Sequence, residues 1–137
     1  MRSNAIHLTY NRAVTTQGVH FFRIQRNVAY HILGHIEDGI ETQNIFEDNL
    51  GISTLASWSL LNTDQTPATF WITNPYNYFR GNRAAGGDRY GFWFDLRANP
   101  SGPSVTTQVC PRGMRLGEFK NNVAHSYQRY VIRVFDH

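Results

Sequence analysis

Phe22-Arg23-Ile24-Gln25-Arg26-Asn27-Val28-Ala29 is echoed at Gly117-Glu118-Phe119-Lys120-Asn121-Asn122-Val123-Ala124. Both read as a short strand, a polar turn ending in Asn, and a second strand opening on a small or apolar residue. Ile40-Glu41-Thr42-Gln43-Asn44-Ile45-Phe46 and Tyr78-Phe79-Arg80-Gly81-Asn82-Arg83-Ala84-Ala85 follow the same plan. A helical solenoid needs longer amphipathic stretches, so the repeats predict β-coils. Each coil of a β-solenoid turns its corner at the same place. Asn suits such a corner because it tolerates a left-handed backbone, and its amide can bond the Asn of the next coil. The pattern therefore predicts equivalent corners and an amide ladder at Asn27, Asn44, Asn82 and Asn122, with Asn49 and Asn121 as near neighbours. The step from Asn27 to Asn44 reads as close to one coil.

Outward from these corners, strand composition recurs. Thr69-Phe70-Trp71-Ile72-Thr73, Tyr90-Gly91-Phe92-Trp93-Phe94 and Tyr130-Val131-Ile132-Arg133-Val134-Phe135 are β-branched and aromatic. Turns separate them at Asn74-Pro75, Gly86-Gly87-Asp88, Asn99-Pro100 and Pro111-Arg112-Gly113. Alternation along Phe92-Trp93-Phe94-Asp95 sets one pair inward and the other outward. Residues 53–67 and 97–115 read as loop excursions from the stack. The first carries Leu55, Trp58, Leu60 and Leu61, which are costly to leave in water at ~25 cal/mol per Å², so it is expected to fold back over the solenoid.

The 137 residues have room for one domain, here a partial β-helix over 1–137. Hydrophobic residues make up 41% and charged residues only 17%, which argues against disorder driven by self-repulsion. The net charge of +3 is scattered along the chain, so no basic stripe points to nucleic acid. Cys110 is the sole cysteine and leaves no internal disulfide; a partner for it would have to lie outside this chain. No apolar run approaches the ~18 residues of a membrane span, and the start of the chain lacks a signal-peptide core.

Several blocks carry a family resemblance. Gly34-His35-Ile36-Glu37-Asp38-Gly39-Ile40-Glu41, Ala68-Thr69-Phe70-Trp71-Ile72-Thr73-Asn74-Pro75, and Asn82-Arg83-Ala84-Ala85-Gly86 with Gly91-Phe92-Trp93-Phe94 resemble the parallel β-helix repeats of the fibrocystin-L and cell-surface hyaluronidase (CEMIP-type) family. The resemblance runs from about Ile6 to Asp136, and the Phe-Trp-Ile-Thr-Asn-Pro string is its specific part. It implies an all-β fold, a right-handed, single-stranded parallel β-helix with loop insertions. It also implies an extracellular or cell-surface location in a membrane-anchored parent, neighbouring coils of that parent as packing partners, and a glycan such as hyaluronan or an extracellular protein as ligand. Between His35 and Ile36 the family usually carries a few more apolar residues, so this coil is shortened. The family's eight-glycine domain is absent from this sequence, and no cap is recognisable at either end. A fragment or truncated gene model is the expectation, since uncapped solenoid ends are poorly soluble.

The densest polar cluster is His35, Glu37, Asp38 and Glu41, followed by Glu47 and Asp48. Three uses stay open for it: an acid/base carboxylate pair, a Ca²⁺ site, or a hydrogen-bonded polar corner. Glu37 and Asp38 are adjacent and point to opposite faces of a regular strand. Glu37 with Glu41, or Asp38 with Glu47, are thus the better pairs; Asp38 and Glu47 are also the Ca²⁺ candidates. The histidines lack an H-E-x-x-H spacing and predict no zinc centre, and no cofactor beyond that Ca²⁺ is expected. His20 and His35 could meet on one face. Arg80 and Arg89 with Trp93, or its neighbours Trp58, Trp71, Tyr76, Tyr78 and Tyr90, could hold an anionic glycan by stacking and charge-assisted bonds; core packing is the competing use of those aromatics. The function expected is a non-catalytic structural or interaction element, with part of a hyaluronan-cleaving glycosidase as the alternative.

Overall fold

A β-branched or aromatic residue at every second position favours strands of three to seven residues, and the chain lays these down in repeating order. In the computed structural model, residues 1–34, 36–38, 41–58, 65–100 and 105–136 are described, with the backbone alone for 36–38, 135 and 136. The first coil holds β1 (Ala5–Thr9), β2 (Val14–Thr16) and β3 (Arg23–Gln25), and the second β4 (Val28–Leu33), β5 (Ile36–Asp38) and β6 (Ile45–Glu47). The third holds β7 (Leu50–Leu55), β8 (Ala68–Ile72) and β9 (Tyr78–Arg80). The fourth holds β10 (Arg83–Gly87), β11 (Tyr90–Leu96) and β12 (Glu118–Lys120), before β13 (Val123–Tyr127) and β14 (Tyr130–Asp136). The first strands of the coils form one sheet in the order β1-β4-β7-β10-β13. The second strands form β2-β5-β8-β11-β14, and the third strands β3-β6-β9-β12. All pairings are parallel, and the chain is a three-sheet parallel β-helix.

Strands one coil apart lie ~4.8 Å from each other, so like side chains in register must stack. Phe46 and Phe79 stack at 4.6 Å, Phe70 and Phe92 at 4.8 Å. Phe119 closes the column edge-on, 5.1 Å from Phe92. With Ile24, Ala29, Ile32, Ile72, Ala84 and Phe94 these rings form the interior. Burying each phenylalanine contributes roughly 1.5–3 kcal/mol. Phe92 and Phe94 face in, whereas Trp93 belongs to a separate buried cluster with Ala68, Trp71 and Tyr90.

The ladder exists with one member exchanged. Asn4, Asn27, Asn49, Asn82 and Asn122 form a continuous column, each backbone N–H donating to the next side-chain oxygen. Asn44 does not stand in it. It occupies the corner before the third sheet, where its N–H donates to Asn77 Oδ1 at 2.8 Å and its own Oδ1 accepts from Phe22 N at 2.9 Å. A coil therefore closes in the 22 residues from Asn27 to Asn49, not in the step to Asn44. The left-handed backbone also falls one residue earlier than expected. Ser3, Arg26, Asp48, Gly81 and Asn121, each just before a ladder Asn, have φ between 54° and 63°. A second such column, Leu8, His31, Ser53, Gly86 and Ser126, bends the first sheet.

Both excursions leave at corners. β7 runs to Leu55, so the first begins after that residue; β11 runs to Leu96, and the second returns through a 3-10 turn at Pro111–Gly113. Trp58 is not folded back: it is 89% exposed. Leu60 and Leu61 lie outside the described residues.

Candidate ligand-binding site

The corner between the first and second sheets is short after β10 and after β13 but long after β7. Asp88-Arg89 joins β10 to β11, and Gln128-Arg129 joins β13 to β14. These two-residue corners stack: Gln128 N donates to Gly87 O at 3.3 Å and Tyr130 N to Arg89 O at 3.2 Å. One coil earlier the same corner is occupied by the excursion from Ala56 to Pro67, whose two ends bond the stack through Asp88 Oδ2, which accepts from Ala56 N at 2.8 Å, and through Pro67 O, which accepts from Tyr90 N at 3.1 Å. Its described ends, Ala56, Trp58 and Gln65, line a cleft of about 370 Å³ together with Asp88, Arg89, Gln128 and Arg129.

The charges in this cleft are uneven. Asp88 Oδ1 also accepts from Gln128 Nε2 at 3.4 Å, so the carboxylate is engaged on both oxygens. Arg89 and Arg129 stand one rung apart, and among the described residues neither forms an ion pair. Like charges on neighbouring strands repel, so the pair favours an incoming anion. The sequence had singled out Arg89 as a ligand-binding candidate. Arg129 and the cleft were not singled out, because Asp88-Arg89 and Gln128-Arg129 become neighbours only through the coil register.

The other candidates are dispersed. Trp93 is 7% exposed, stacked on Trp71 at 5.7 Å and covered by the Arg133 guanidinium, 4.9 Å from its ring. Arg133 Nη1 also donates to Tyr90 Oη at 2.6 Å. Trp93 is therefore no open stacking platform. Arg80 lies on the third sheet, ion-paired with Glu118 and 5.3 Å from the Tyr78 ring, so its charge is already met. Tyr76 likewise binds Arg115, whose guanidinium pKa is raised by that hydrogen bond.

Glu37 falls in register between Thr15 and Trp71, and Asp38 between Thr16 and Ile72. The side chains of both lie outside the described residues, as do His35 and its meeting with His20. Glu41 is fully buried; its Oε1 accepts from Gly18 N, and its Oε2 has no hydrogen-bond partner among the described residues. Asp38 and Glu47 belong to different sheets, the second and the third, separated by a corner, which puts them on different faces. Glu47 instead accepts from Gln25 Nε2. Cys110 is exposed beside the turn at Pro111.

Comparison with known proteins places this geometry. The family model described as CEMIP beta-helix matches residues 1–132. The chain is 46% identical over 135 residues to mouse "Fibrocystin-L", covering 96% of this chain and 3% of that protein. It is 33% identical over 159 residues to the human "Cell migration-inducing and hyaluronan-binding protein", covering 94% of this chain and 12% of that protein. It is 30% identical over 154 residues to the zebrafish "Cell surface hyaluronidase", covering 90% and 11%. The chain thus spans a small part of the length of each.

Proposed function

This chain belongs to the CEMIP beta-helix family, and from that premise we propose that it works as a non-catalytic segment of an extracellular or cell-surface β-helix, a structural element that also holds a glycan or protein ligand. The observation that carries the binding role is the corner cleft, where two arginines without an ion pair among the described residues lie beside an exposed indole. A glycan is the favoured ligand, because arginine with an aromatic face suits acidic sugars and a relative is named for binding hyaluronan. The parent is proposed to be larger and membrane-anchored, with further coils stacked on these. Immobilised oligosaccharides, hyaluronan among them, test the reading. Saturable binding to the folded chain is expected, and its absence across acidic and neutral glycans alike removes the glycan role.

A second reading, part of a hyaluronan-cleaving glycosidase, draws on relatives named as hyaluronidases and on Glu37 standing in register beside Trp71. Incubation of the parent protein with hyaluronan separates the two. Polymer shortening that disappears on Glu37→Gln supports cleavage, and unchanged polymer length supports the scaffold.

A further inference from the structure

Resting on the glycan reading above, we propose that the corner cleft is an oxyanion site in which Arg89 and Arg129 together hold one carboxylate or sulfate of an acidic sugar, Trp58 lies against its ring, and Asp88 acts as a positioning residue. Parallel register sets the two arginines one rung apart, ~4.8 Å between strands, close enough for both guanidiniums to reach one oxyanion. Gln65 and Gln128 line the same cleft and offer amide donors and acceptors to ring hydroxyls. Trp58 is 89% exposed, an apolar face of the kind that covers a sugar ring. The cleft volume of about 370 Å³ lies at the small end of ligand pockets, suited to one or two sugar units.

Asp88 sits where it would repel that ligand, yet both its oxygens are turned to the protein, one to Ala56 N and the other to Gln128 Nε2. It ties the base of the excursion carrying Trp58 to the corner carrying Arg129. One negative charge against two positive ones leaves the cleft net cationic among the described residues.

Calorimetric titration of the 137-residue chain tests the site with four probes: a uronate-containing disaccharide, a sulfated hexosamine disaccharide, a neutral disaccharide and inorganic sulfate. At least one acidic sugar is expected to bind tenfold or more tightly than the neutral one, and the stronger arm identifies the oxyanion. Arg89→Gln and Arg129→Gln are each expected to lower that affinity about tenfold with the melting temperature unchanged. Asp88→Asn separates positioning from charge: loss of a repelling carboxylate alone would tighten binding, whereas loss of positioning weakens it several-fold, with recovery in Asp88→Glu. Sugars that bind equally well whatever their charge, and indifferently to both arginine variants, overturn the cleft assignment while leaving the glycan reading standing. Sulfate bound through both arginines with no sugar bound at all retains the anion pair and overturns the glycan ligand. No binding by any probe overturns both.

Discussion

Asn49 donates twice to one oxygen of Asn82: its side-chain Nδ2 at 3.0 Å and its backbone N–H at 3.1 Å both reach Asn82 Oδ1. Asn49 Nδ2 also donates to Ile24 O at 2.8 Å, while its own Oδ1 accepts from the Asn27 backbone and amide. These bonds converge on a residue that is 2% exposed. Asn49→Ala leaves buried donors on Asn27 without an acceptor and is expected to cost about 3 kcal/mol. Asn121→Ala, in the exposed left-handed position beside the column, is expected to cost about 1 kcal/mol. Urea denaturation of both variants checks this, and equal losses would contradict the ladder's role.

Gly51 sits where a Cβ would come within 2.2 Å of Thr69 Cγ2. Gly51→Ala should therefore destabilise the stack by about 2 kcal/mol through overpacking. Thr69→Ser removes that methyl yet keeps the hydroxyl, which lies 2.7 Å from Thr54 Oγ1 and also bonds Tyr127. The pair should couple: Gly51→Ala is expected to be much milder in the Thr69→Ser background, and strict additivity in a double-mutant cycle would refute the clash.

Tyr127 carries a pH signature. Burial pushes its phenol up to about 12 from 10.0, partly opposed by the hydrogen bond with Thr69. The folded state favours the neutral phenol, so its contribution is complete below pH 10. It is lost as pH rises from 10 to about 12, where the unfolded chain ionises first. Two pH units correspond to about 3 kcal/mol. The stability difference between the native chain and Tyr127→Phe should stay constant to pH 10 and then shift against the native chain by that order. A flat difference across the window would show that the phenol is not shielded.

Indole exposure offers a direct optical test. Trp71 and Trp93 are 6% and 7% exposed, whereas Trp58 is open. Iodide quenching of the folded chain should fall almost entirely on Trp58. Trp58→Phe should leave a blue-shifted, poorly quenched emission; quenching that persists would mean that the stacked pair is open to water.

By itself, the sequence determined the architecture. Short strands of β-branched and aromatic residues set the all-β class, the repeated unit of strand, Asn turn and strand pointed to stacked coils, and the alternation along Phe92-Trp93-Phe94-Asp95 divided two faces without saying which of them looks inward. Tertiary structure alone decided which asparagine belonged to which corner. Asn44 and Asn49 both end polar turns, and only the register of β6 and β7 puts Asn49 beneath Asn82 and Asn44 beneath Asn77. It likewise decided which aromatics stay open: Trp93 looked available until Trp71, Tyr90 and Arg133 were seen to enclose it, whereas Trp58 looked like loop packing and is exposed. Arg89 and Arg129 are forty positions apart in the chain, and coil closure makes them neighbours. Local composition sets the backbone state of each segment because strand and turn preferences act over a few residues. Proximity across coils depends on the exact residues at which each excursion leaves and rejoins the stack, and composition locates those only to within a few positions.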